Sequence, residues 1–173
     1  MVEIDRFQIA VAFVLEREGG LVDDPKDPGG ITNHGISLRF LKGVVPYATP
    51  VTVQDLSRET AIELYWEHFW ETCKCQSLPA VLGFAVFDCA VNQGPRTARK
   101  LLQRALGVTA DGYFGPVTLA AVHDCEPPAV LTDFLARRAK RYAETANFQR
   151  YGRGWFRRLF EVQRATYNRL KIL

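Results

Sequence analysis

The sequence predicts a mainly α fold of α+β type, one helical domain carrying a single small hairpin. Apolar residues recur at helical spacing over several long segments, and glycine and proline punctuate the gaps between them. Only "GITNHGIS", residues 30–37, has the pattern of a hairpin. With 173 residues, 47% apolar and 24% charged, the chain is long enough for one packed core and has the composition of an ordered globular protein.

In chain order, Phe7, Ala10, Val11, Val14 and Leu15 share one face of a helical wheel, so residues 5–17 read as an amphipathic helix. Residues 19–37 break that period and read as a glycine- and proline-rich loop with the hairpin at its end. A turn near "TPVTVQDL" leads to Ser57, an expected N-cap, with Glu59 in the first turn of a helix reaching about Cys73. "LPAVLGFAVFDCAVNQG" predicts a central, buried helix ended by Gly94, with Pro95 preventing its continuation. A helix closed by Gly107, a short one from Pro116, and a long one from Pro127 and Pro128 to about Asn147 follow. "YGRGW" is expected to break that long helix before a final one. The total is about seven helices, without repeats or low-complexity segments.

Composition and motifs exclude several function classes. The net charge of +3 favours an anionic polymer weakly, and no nucleic-acid partner is expected. No apolar run reaches the roughly 18 residues of a membrane span, so no stable membrane insertion is expected. Glu3 and Asp5 precede the first apolar run and no cleavage pattern follows, so the chain reads as made in the cytoplasm, with export by another route. Cys73, Cys75, Cys89 and Cys125 lack ligand spacing, as do His34, His68 and His123. Reduced structural thiols, no metal and no cofactor are the expectation. There is no Gly-x-Ser-x-Gly and no phosphate loop.

The acids of "LEREGGLVDDPKDPGGIT", residues 15–32, carry the candidate chemistry. On the wheel Glu16 points to water, whereas Glu18 falls within the apolar stripe. Desolvation and the negative end of the helix dipole both favour the protonated form of Glu18, which a general acid requires. From pattern alone, Glu18 is either that acid or a carboxyl that caps a buried face against the glycine turn. Gly19 and Gly20 are likewise a helix C-cap or clearance for a bulky substrate. Asp23 and Asp24 read as turn residues, and Asp27 as a turn residue or a second carboxylate across a cleft.

"EREGGLVDDPKDPGGITNHGIS" resembles the N-terminal motif of the glycoside hydrolase family 108 muramidases, lysozyme-like enzymes of phages, prophages and bacteria. "TAIELYWEHFW" resembles that family's aromatic helix, and "GVTADGYFGPVTLAAV" resembles a stretch shared by peptidoglycan-binding modules. The resemblance spans about residues 7–125. It implies a single compact lysozyme-like unit over residues 1–173, with a muramidase motif region at 1–80 and a peptidoglycan-binding-like helical region at 81–173 packed on it. It also implies catalytic residues Glu18, Asp27 and Thr32, and peptidoglycan glycan strands as partner. The implied activity is that of a phage endolysin or a secretion-activator type of protein, acting at the periplasm or cell wall after holin-type or other release. Leu21 stands where the family has an aromatic, and Ser37 where it has Thr. The rival readings are a lytic transglycosylase and a non-catalytic wall-binding or secretion-assisting protein. Inversion or retention depends on carboxyl separation, roughly 6.5–9.5 Å against 5–5.5 Å.

Asp88 and Asn92 lie one turn apart on the apolar helix, where a polar pair needs partners. They either tie that helix to the glycine loop or, for Asn92, bond an N-acetyl or hydroxyl group of substrate. Tyr65, Trp66, Phe69 and Trp70 read as core in preference to a sugar platform. Arg137, Arg138, Lys140 and Arg141 read as a solvated basic run that could meet anionic wall polymer.

Overall fold

The first helix forms where the apolar stripe predicts it. In the computed structural model, which describes residues 2–18, 20–23 and 30–169 (backbone only at 2–5, 18 and 169), α1 runs Val2–Glu18. Phe7, Ala10, Val11 and Val14 are buried and Glu16 is exposed, as the wheel requires. The stripe packs on α5 (Ala80–Gln93), whose residues Leu82 to Ala90 are all buried. Phe13 meets Phe84 edge-on at 4.9 Å and Phe7 meets Phe87 at 5.9 Å. Each such pair adds specific geometry to the area it buries.

The hairpin lies where "GITNHGIS" places it. β1 (Thr32–Asn33) and β2 (Ile36–Ser37) pair antiparallel in the register Thr32 to Ser37 and Asn33 to Ile36. His34 (φ 50°) and Gly35 (φ 76°) form the two-residue connection, both at the positive φ that a type I′ turn requires. Asn33 anchors the hairpin, its buried amide donating to the carbonyls of Val53 and Gln54, and Tyr65 Oη donates to the His34 carbonyl at 3.0 Å.

Two short helices replace expected irregular chain. Ser37 caps α2 (Leu38–Val44), its Oγ accepting from Phe40 N, and Thr49 and Thr52 form a capping box on α3 (Pro50–Gln54). Ser57 caps α4 (Arg58–Tyr65) as expected. The helix then widens into a π segment, Trp66–Glu71. The widened turns leave Tyr65, Phe69 and Trp70 buried and Trp66 half-buried, so the aromatics are core.

Gly94, at φ 89°, ends α5, and Pro95 opens α6 (Pro95–Ala105) directly, as proline at a first helical position can. α7 (Pro116–His123) and α8 (Pro127–Ala143) follow. "YGRGW" does not break a helix: α9 runs Phe148–Arg169 through it, and the break falls between α8 and α9. The Phe148 ring lies over Gly152 one turn on, so close that a Cβ there would meet it at 2.5 Å. Glycine is therefore what lets the ring pack down on its own helix, and that contact offsets the poor helix propensity of the position. The result is a mainly helical, lysozyme-like fold with α5 at its centre, touching α1, α6, α8 and α9.

The connection from α6 to α7 depends on one buried side chain. Gln103 Nε2 donates to Asp111 Oδ1 (2.7 Å) and to the Tyr113 carbonyl (2.9 Å), and its Oε1 accepts from Gly112 N (2.7 Å). Gln103→Ala should cost about 2–3 kcal/mol, because buried partners are left unsatisfied. Thermal unfolding of the variant checks this.

Cys73, Cys75 and Cys89 are buried free thiols and Cys125 is partly buried. Burial pushes the Cys89 thiol up to about 12, so it is inert toward oxidants at neutral pH.

Candidate active site

The last turn of α1 is held by a residue that the sequence pattern leaves unremarked. Arg17 Nη1 donates to the Phe13 carbonyl at 2.8 Å, and the guanidinium lies 3.5 Å from the Phe13 ring centroid. Its Nε donates to Glu161 Oε2 of α9 at 2.8 Å, while Arg157 Nε donates to Oε1 at 2.9 Å. Glu18 is the next residue, the last of α1. Its side chain, like Asp24 and Asp27, lies outside the described residues.

These hydrogen bonds from Arg17, then Arg157, hold the Glu161 carboxyl below its ordinary range. A carboxylate depressed in the fold stabilises above its unfolded pKa of about 4.3 and loses that contribution as pH falls through the lower folded value. With 19% of its side chain exposed, the contribution is at most about 1 kcal/mol. Wild type should therefore lose stability more steeply than Glu161→Gln below about pH 4.5, as read by melting temperature against pH.

Beyond α1, Gly20 is exposed, and among the described residues a Cβ there would meet nothing within 4 Å. Leu21 is 53% exposed. The family's aromatic at this position would thus sit on the surface, and the departure removes no core packing. Asp23 is exposed. Val22 and Thr32 then exchange two backbone hydrogen bonds of 2.8 Å each. Thr32 is paired on both sides, to Val22 and to Ser37, and its Oγ1 donates to the Gly30 carbonyl at 3.2 Å. These bonds fix Val22 and Thr32 to each other; Asp27 lies between them in the sequence, outside the described residues.

On the other side of the hairpin, a groove of about 700 Å3 runs between β2 and α2 and the C-terminal end of α5. Ser37, Phe40 and Val44 form one wall, Asn92 and Gly94 the other, and Phe69 is part of the lining. Among the described residues, Asn92 lines this groove and Thr32 does not, although Thr32 is the ladder partner of Ser37, which does. Ser37 needs no threonine methyl for its capping role.

A buried polar chain fixes Asn92. Asp88 Oδ2 accepts from Arg138 Nη2 at 2.9 Å, and Asp88 Oδ1 accepts from Arg158 Nε at 2.9 Å. Arg138 Nη2 lies 3.4 Å from Tyr142 Oη, which donates to Asn92 Oδ1. Trp155 stacks on the Tyr142 ring at 4.9 Å. With Oδ1 engaged, exposed Asn92 presents its Nδ2 as a donor. Arg138 is 0% exposed, so it does not belong to a solvated run. α5, α8 and α9 close over it, and burial opposes its charge, yet Asp88 and its neighbours hold its pKa above the ordinary value. Among the described residues, Asp88 ties α5 to α8 and α9.

The class to which this lysozyme-like fold belongs, on the comparisons that follow, is that of the glycoside hydrolases. Residues 11–94 match the Glycosyl hydrolase 108 family model, and residues 97–160 match a predicted peptidoglycan domain. A solved structure, "Structure of Brucella abortus SagA", is 35% identical with a TM-score of 0.86 over 90% of each chain. No curated protein matches the chain. The chain belongs to the glycosyl hydrolase 108 family and is a peptidoglycan hydrolase.

Proposed function

We propose that this hydrolase is an N-acetylmuramidase, cleaving the β-1,4 bond between N-acetylmuramic acid and N-acetylglucosamine. The observation that supports the reading is that Glu18 is the last residue of α1 and that Val22 and Thr32, which flank the acidic segment in the sequence, exchange two backbone hydrogen bonds. In this reading Glu18 protonates the leaving oxygen, and Asp27 and Thr32 order the loop and the attacking water. Asn92 Nδ2 donates to an N-acetyl or hydroxyl oxygen in the groove. No helix among the described residues is long and apolar enough to cross a membrane. We place the site of action at the wall, reached by holin-type or other release, in phage lysis or in wall remodelling.

The test is mass spectrometry of purified sacculi after digestion. Muropeptides ending in a reducing N-acetylmuramic acid are expected. Anhydro-muropeptides would replace the muramidase by a lytic transglycosylase, and binding without release would leave a wall-binding protein.

A further inference from the structure

We infer that the cationic groove between α6 and α8 is a second wall-binding site, one that takes the carboxylates of peptidoglycan stem peptides. It holds about 490 Å3 and is lined by Arg96, Lys100 and Arg104 from α6 and by Arg137, Lys140 and Arg141 from α8. The three on α6 are spaced four apart and so fall along one side of the helix, facing the row on α8. Two of the six cations are compensated, Arg137 by Asp133 at 2.7 Å and Lys140 by Glu144 at 3.9 Å. Arg96, Lys100, Arg104 and Arg141 have no carboxylate within 4 Å among the described residues. Asp111, close enough to Lys100 to feel its charge, has its Oδ1 already engaged by Gln103 and Tyr113 N.

The groove is also built. The Asp111-Gly112 turn packs under it: a Cβ on Gly112, whose φ is +84°, would meet Arg96 Cγ at 3.2 Å and Lys100 Cγ at 3.4 Å. Glycine lets the backbone run against both aliphatic stems, and the Gln103 hydrogen bonds fix that backbone in place. The two cations are thus oriented by the turn that carries the peptidoglycan-module motif, and concentrated charge of one sign attracts a counter-ion of the other.

The class of ligand follows from the chemistry of the polymer and the position of the groove. Glycan backbone is nearly neutral, and muramic acid's lactyl carboxyl is capped by the peptide, so the negative charge of peptidoglycan lies on its stem peptides. Gly94 and Pro95 line the groove beside Asn92, and the next residues, Arg96 and Thr97, line the cationic one. A strand seated in the first would offer its stem peptides to the second. This inference rests on a glycan strand seating in the groove beside Asn92, as proposed above.

The test is cosedimentation on ice with native sacculi and with sacculi whose carboxylates are amidated by carbodiimide and ethanolamine. Wild type should bind the native form roughly tenfold more tightly. A variant carrying Arg96→Gln, Lys100→Gln and Arg104→Gln should bind both forms alike, and Arg141→Glu, from the facing helix, should lose binding to the native form in the same way. Circular dichroism confirms that both variants are folded. Equal binding of wild type to both sacculi, or variants that bind native sacculi as wild type does, overturns the proposal. So does a loss confined to RNA, teichoic acid or anionic phospholipid vesicles. Release of reducing ends by wild type is read separately: binding differences without release sink the muramidase reading alone, and release without binding differences sinks the second site alone.

Discussion

Glu18→Gln should lower wall hydrolysis by roughly 10²- to 10⁴-fold while leaving the thermal midpoint within a degree or two of wild type. Glutamine matches glutamate in shape and keeps hydrogen-bonding capacity, but it has no proton to give to a leaving glycosidic oxygen. Turbidity loss of outer-membrane-permeabilised cells measures the rate, and the pH profile identifies the role. In wild type, activity should fall on the limb where the acid deprotonates, because only its protonated form can give a proton to the leaving oxygen. The residual activity of the glutamine variant should lack that limb. A variant that clears cells at the wild-type rate removes Glu18 from the chemistry.

Asp88→Ala should be the most damaging single change to the fold. It leaves Arg138 buried with no carboxylate partner, and Arg158 loses the same anchor. Removing one member of a buried pair costs about 3–5 kcal/mol, which for a domain of this size lowers the melting temperature by roughly 6–20 °C. Asp88→Ala combined with Arg138→Met should recover much of that loss, since the stranded charge disappears with its partner. Recovery of stability should not restore the site: Tyr142 would still lack the Arg138 contact, so Asn92 would be held less well. A raised KM in a double variant of near-normal stability is therefore the expected signature, measured by hydrolysis kinetics beside calorimetry.

These two residues show how differently sequence exposes function and structure. The signals that single out Glu18 as a candidate are local ones, helical period and the glycines that follow it in the sequence, and its side chain lies outside the described residues. Asp88 is legible only as a polar residue in need of a partner, and the partner, fifty residues away, looks like part of a solvated basic run. Arg17 gives no signal at all, because its role depends on Glu161 lying across from the last turn of α1. Ser37, a conservative departure by sequence, turns out to cap α2.

What the amino-acid sequence determines by itself is whatever a few neighbouring residues can decide: the face of α1 that is buried, the Ser57 cap, the His34-Gly35 turn and the end of α5 at Gly94. Tertiary structure decides the rest. It carries α9 through "YGRGW", because a ring packed on Gly152 outweighs the propensity of two glycines, and it buries Arg138 under three helices. It also assembles six cations from α6 and α8 into one groove. For Arg138 and the cationic groove the deciding contacts join segments far apart in the chain, and for Gly152 the decision lies in how one ring packs on its own helix, which the propensities of the two glycines do not encode.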